Sequence, residues 1–136
     1  MLYIFFILLM TDQLTKLSII FLSSKMNLTI VHNTGVAFGM LSEKSMLVVF
    51  LTVSLLLTLL IFKKTFFVNN ALHQKAIIFI LAGGAGNLLD RIIYGHVIDF
   101  IKLPLIPYFN LADVFINIGM LLYVLGLFKK KYEPRL

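Results

Sequence analysis

The chain has 136 residues, of which 60% are hydrophobic and 13% charged, with a net charge of +6 and a mean hydropathy of +1.01. That length suits one domain and not two, and a charge content well below the roughly 25% of soluble domains argues against water as the main solvent. Cysteine is absent, which excludes a disulfide framework, a thiolate zinc site, a cysteine nucleophile and a lipid-bearing cysteine on the chain itself.

Four stretches approach the roughly 20 apolar residues that carry a helix across a bilayer. The first is expected over 2–22. Its start, MLYIFFILLMTDQLTK, has neither a basic leader nor a small-residue cut site, so this span is expected to be retained. Asp12 and Lys16 interrupt it four residues apart, on one helical face. They can pair within the helix, and Lys16 can also reach outward; a structural, bracing role is favoured for both. The second span, 45–62, carries no charge.

The third span, 75–94, carries Asn87, Asp90 and Arg91 in its last two turns, spaced to share one face. Gly83, Gly84 and Gly86 lie about one turn earlier, where small residues let another helix or a bound peptide approach closely. A glycine packing face capped by an interfacial Asp90–Arg91 pair would explain the glycines alone. The amide and two charges on the same stripe favour a functional role for Asn87 and Arg91, with Asp90 evenly placed between the two readings.

Asp99 follows in the apolar run VIDFI, and the next segment, IKLPLIPY, holds two prolines and is not expected to be helical throughout. The fourth span, 111–128, opens with Asp113 and contains Asn117. Asp113 alone could be a first-turn carboxylate favoured by the helix dipole, and Asp99 alone an interfacial surface residue. A chain reversal between them brings both to one bilayer edge, and their apolar neighbours make them read as a pair.

Orientation follows from the basic residues. Lys63, Lys64, Lys75, Lys129, Lys130, Lys131 and Arg135 flank one side, against Lys25, Lys44, Arg91 and Lys102 on the other. The richer side belongs in the cytoplasm, which places both termini inside and most carboxylates in the spans or outside. The basic residues sit beside apolar spans and form no stripe, so nucleic-acid binding is not expected.

Two carboxylates close together in a poorly hydrated site share one proton near neutral pH, because like-charge repulsion raises one pKa. The ionised member can draw a proton from water while the protonated one polarises a peptide carbonyl. Such aspartyl-protease chemistry needs no metal or other cofactor. Asn87 and Asn110 are available to orient the pair and hold substrate backbone. Other chemistries fit poorly. His32, His73 and His96 lie on separate segments with no H-E-x-x-H, and no G-x-S-x-G occurs. Nothing shelters Lys44 beside Ser42 and Ser45, and the GGAG fragment lacks the preceding strand of a dinucleotide fingerprint.

The segments DQLTK (12–16), NTGVAFG (33–39), GNLLDR (86–91), VIDF (97–100) and FNLAD (109–113) together resemble bacterial lipoprotein signal peptidase, also called signal peptidase II. All five occur in the family's order and cover nearly the whole chain. The resemblance implies an all-α membrane protein of four transmembrane helices, both termini cytoplasmic, with a small extracytoplasmic β-cradle over the site, here drawn largely from 28–38. It implies removal of the signal peptide from diacylglyceryl-modified prolipoproteins, cut before the lipid-modified cysteine, in the bacterial cytoplasmic membrane and open to inhibition by globomycin. It implies catalysis by Asp99 and Asp113. Asn33, Gly35, Asn87, Arg91, Asn110 and Ala112 match positions lining the family's substrate pocket, and Asp12 and Lys16 match its first-helix motif. Asp90, beside Arg91, is read as an ion-paired support. The chain is expected to act as a single 1–136 domain and as a monomer, with membrane lipid as its surroundings. Val36 stands where the family usually has alanine, and the connection from Asp99 to Asp113 is shorter than usual. From other classes, a small proton transporter relaying through Asp12, Asp90 and Asp113, or a non-catalytic assembly subunit, would use the same polar residues differently.

Overall fold

The computed structural model of the chain describes residues 2–35, 45–61 and 71–132. Among the described residues there are four helices: α1 (Leu2–Met26), α2 (Ser45–Ile61), α3 (Ala71–Tyr94) and α4 (Leu111–Tyr132). The same residues hold four short strands: β1 (Val31–Asn33), β2 (Val97–Asp99), β3 (Ile101–Leu103) and β4 (Ile106–Phe109). Three helices, α1, α3 and α4, are long and apolar enough to cross a membrane. The fourth, α2, is equally apolar but has 17 residues, a length of about 25 Å against a hydrocarbon core of about 30 Å.

The helices are turned inside out relative to a water-soluble bundle. On α1 the buried residues are Asp12 and Lys16, whereas Leu2, Phe6, Met10, Leu14, Leu17 and Phe21 point outward. Lipid solvates the apolar side chains, and the charges gather where they can pair. The expectation that Lys16 can reach outward is not met: it is 1% exposed.

The tightest helix contact joins α3 to α4, and small residues make it possible. Ala112, Gly119 and Gly126 recur at seven-residue spacing along α4. A Cβ at Gly83 would collide with the Ala112 carbonyl, one at Gly119 would lie 2.8 Å from the Ala76 carbonyl, and one at Gly126 would strike the His73 ring. With no hydrophobic force between helices in lipid, close backbone approach of this kind supplies the association through packing.

Local chemistry sets the helix ends that build the site. Gly95 ends α3 in the left-handed region (φ 78°) and donates its N–H to the Arg91 carbonyl at 3.1 Å, a stop that suits glycine. Asn110 begins α4 as a reciprocal cap. Its Oδ1 accepts the Asp113 N–H at 3.0 Å, and Asp113 Oδ2 accepts the Asn110 N–H at 3.1 Å. Asp113 thus fills the structural role expected of a first-turn carboxylate, while keeping its other oxygen for the site.

The strands form two antiparallel pairs. In β1–β2, Val31 faces Asp99, His32 faces Ile98 and Asn33 faces Val97. In β3–β4, Ile101 faces Phe109 and Leu103 faces Ile106, with a bulge between. Of the segment 28–38 expected to supply a cradle, the described part gives β1, while β2, β3 and β4 all lie within 97–109. The chain reversal expected from the two prolines is this second hairpin. Val36 and the rest of that segment beyond Gly35 lie outside the described residues.

Candidate active site

Asn110 holds the two suspected carboxylates from one position. Its Nδ2 donates to Asp99 Oδ1 at 2.6 Å, while its backbone N–H goes to Asp113 Oδ2. The same Nδ2 lies 3.1 Å from Asn87 Oδ1, and Asn87 Nδ2 donates to Asp113 Oδ1 at 2.8 Å. Asn33 Nδ2 donates to Asp99 Oδ2 at 2.9 Å across the β1–β2 pair. Each aspartate is therefore oriented by two donors, and the three amides fix which oxygen faces where.

Both aspartates line one open cavity of about 980 Å³. Its polar end holds Asn33, Gly35, Asn87 and Arg91 beside them; Leu55, Leu56, Ile80 and Ile116 make an apolar wall. Asp99 is 1% exposed, and burial is the main cause that pushes its carboxyl above the usual carboxylate range. The nearby Asp113 charge pushes the same way, while hydrogen bonds from Asn33 and Asn110 oppose it.

Arg91 spans the site. Its Nη2 donates to the Gly35 carbonyl at 2.7 Å and Nη1 to the Asn87 carbonyl at 3.4 Å, while its buried Nε has no partner among the described residues. Gly35 is held from its other side, its N–H donating to Asn33 Oδ1 at 3.0 Å. The expected Asp90–Arg91 pairing is replaced by a different one. Asp90 takes Lys16 as its partner at 2.7 Å, and Lys16 also bonds Asp12 at 2.9 Å and Asn87 Oδ1 at 3.2 Å. Side chains on neighbouring helical positions diverge, so Asp90 faces α1 while Arg91 faces β1. Asp90 is nonetheless an ion-paired group, and its Oδ2 also accepts the Ile98 N–H at 3.2 Å. Asp12 Oδ1 accepts the Ala112 N–H at 2.9 Å, one of the donors that a helix start leaves free. Asp12 and Asp90 thus close a compact cluster on Lys16, with none of the stringing through the bilayer that a proton relay needs.

Asn110 and Ala112, matched by resemblance to the substrate pocket, are fully buried behind the cavity lining, where they serve the aspartates and the α3–α4 contact. Three contributors went unrecognised in the sequence. Gln13 Nε2 lies 3.0 Å from Asp90 Oδ1 and 3.1 Å from Asp12 Oδ2. Asn117 lines the cavity one turn beyond Asp113, donating to the Asp113 carbonyl at 2.9 Å. His32 lines it too and stacks on His96, ring centres 4.1 Å apart; burial, then the neighbouring His32, lowers the pKa of His96. Among the described residues no cluster of three or more His, Cys, Asp or Glu is arranged to hold a metal ion.

The profile of the family described as signal peptidase (SPase) II matches residues 4–129. The lipoprotein signal peptidase of Thermodesulfovibrio yellowstonii is 41% identical over 143 residues, covering 92% of each chain. That of Caldicellulosiruptor bescii is 39% identical over 133 residues, covering 90% of this chain and 86% of its own. Among solved structures, a bacterial membrane enzyme determined by the in meso method at 2.3 Å superposes with a TM-score of 0.84 at 29% identity, covering 99% of this chain and 93% of that one. A second, at 1.9 Å, gives 0.79 at 30% identity, covering 94% and 92%.

Proposed function

Because the chain belongs to the signal peptidase II family, aspartic peptidases that remove signal peptides from prolipoproteins, we propose that Asp99 and Asp113 are its catalytic pair. The observation that carries this is the single residue Asn110, which bonds both carboxylates at the polar end of one cavity.

The chemistry follows from the environments. Asp99, its carboxyl pushed up by burial, holds the shared proton and offers it to the scissile carbonyl oxygen. Asp113 takes a proton from a water as that water's oxygen attacks the carbonyl carbon. When the C–N bond breaks, Asp113 returns the proton to the departing amine and Asp99 recovers its own from the new carboxyl group. Asn87 holds Asp113 in aim, and the Arg91 Nε, without a partner among the described residues, suits a substrate backbone carbonyl. Asn33 and Gly35 fix the strand edge against which an extended peptide can lie.

The substrate is read as a diacylglyceryl-modified precursor cut before its modified cysteine, with the lipid chains remaining in the bilayer. All four helices cross the membrane in this reading, with α2 tilted little and both termini cytoplasmic. The site then faces outward from the bacterial inner membrane. The basic residues at the opposite helix ends support that orientation.

Purified protein in vesicles, given a diacylglyceryl-modified precursor, tests the assignment. Asp99→Asn and Asp113→Asn should each lower the cleavage rate by about a hundred- to ten-thousand-fold, and globomycin should block the unsubstituted enzyme. If either variant cut at the unsubstituted rate, the pair would be misassigned.

A further inference from the structure

The β3–β4 hairpin ends in five consecutive exposed apolar residues, Leu103, Pro104, Leu105, Ile106 and Pro107. Leu105 is 104% exposed and sits at φ 64°. A leucine enters that left-handed region less readily than glycine or asparagine would. In water such a tip gains nothing from its leucines and isoleucine and invites aggregation. Among the described residues none covers it.

Its place in the chain identifies what does. The hairpin lies between the end of α3 and the start of α4, so it sits at one bilayer edge whichever side that edge faces. The last turn of α3 turns Ile92 and Ile93 outward, 63% and 61% exposed, as part of the surface that faces lipid. At the base of the tip Lys102 Nζ lies 3.1 Å from the Ile106 carbonyl and 5.0 Å from the centre of the Tyr108 ring. A lysine and a tyrosine beneath an apolar tip match the vertical order of an interface: phosphates at the level of the ammonium, aromatics at the headgroups, acyl chains beyond.

We propose that the 101–109 hairpin is a membrane-interface anchor, its Leu103–Pro107 tip inserted among the lipids and its Lys102 ammonium at the phosphates. The same hairpin walls the cavity through Lys102, Ile106, Pro107 and Tyr108. Insertion therefore holds the cavity mouth level with the lipid. For the peptidase reading, on which this last consequence alone rests, that is where a lipid-modified precursor presents its peptide.

The chain contains no tryptophan, so Leu105→Trp in the full-length protein is a single reporter. It is reconstituted in phosphatidylcholine–phosphatidylglycerol vesicles with and without lipid brominated near the top of one acyl chain. Insertion predicts a blue-shifted emission that brominated lipid quenches and aqueous iodide does not. A water-like emission, quenched by iodide and equally bright in both vesicles, would overturn the proposal. Leu125→Trp, on the outward face of α4, reports that the protein is reconstituted, and Leu103→Trp gives the same decision should the Leu105→Trp protein not fold. Precursor cleavage is measured in the same vesicles: quenching by brominated lipid without cleavage would count against the peptidase reading and leave the anchor standing.

Discussion

At the scale of single residues, the site works by assigning every amide a direction. Asn33 donates to Asp99, Asn87 to Asp113, and Asn110 to Asp99 through its side chain and to Asp113 through its backbone. The Asn33 bond stabilises the charged form of Asp99 and so opposes the upward push of burial. Replacing Asn33 by alanine removes that opposition, and Asp99 then keeps its proton to higher pH. The basic limb of the pH profile of cleavage should therefore move upward in Asn33→Ala, with a lower maximum because the strand edge is loosened. A limb that moved downward, or an unshifted one, would contradict Asp99 as the proton-holding member. The two aspartates were legible in the sequence because charge in an apolar chain is conspicuous. Gln13 was not, since an amide next to Asp12 reads as part of the same polar interruption, and only the fold shows Asn117 lining the cavity.

At the scale of elements, the four helices could be read from hydropathy, with boundaries differing mainly where polar residues extend a helix past its apolar part: α1 to Met26 and α4 to Tyr132. The hairpin could be anticipated only as a reversal, because three- and four-residue strands carry too few alternations to declare themselves. The glycine face at 83–86 was readable as a packing surface, and the structure divides it among three partners: Gly83 meets Ala112 and Ile116 at the start of α4, Gly84 meets Leu56 of α2, and Gly86 meets Asp12 of α1 as well as Ala112. Gly83→Val should force α3 and α4 apart at Ala112, costing about 1–3 kcal/mol of stability. Since Asp113 adjoins Ala112, its aim at Asn87 suffers too, and a displacement of about 1 Å can lower a rate about a hundredfold. Thermal unfolding in detergent and the cleavage rate measure the two effects. Full activity in Gly83→Val would mean that the α3–α4 approach does not set the site.

At the scale of the whole molecule, the protein is held by a charged centre in an apolar shell. The sequence revealed which residues were too polar for their surroundings but not how they would pair. Asp12 and Lys16 alone satisfy the spacing rule within α1, and only the fold brings Asp90 and Asn87 to the same ammonium. Lys16→Met leaves two buried carboxylates facing each other without their cation, a loss of about 3–5 kcal/mol. Adding Asp90→Asn should return part of it, since residues that share one network are not additive. Equal and additive losses in the double variant, measured by unfolding, would show the pair to be uncoupled.

The bond from Asp12 to the Ala112 N–H joins positions 100 residues apart, the first span to the first turn of the last. A ribosome makes the acceptor 100 residues before the donor. The neighbour of that donor, Asp113, is seated only when α4 packs against α1. With Asp113 as half of the proposed catalytic pair, the chain has no cutting power until α4 is in place against α1.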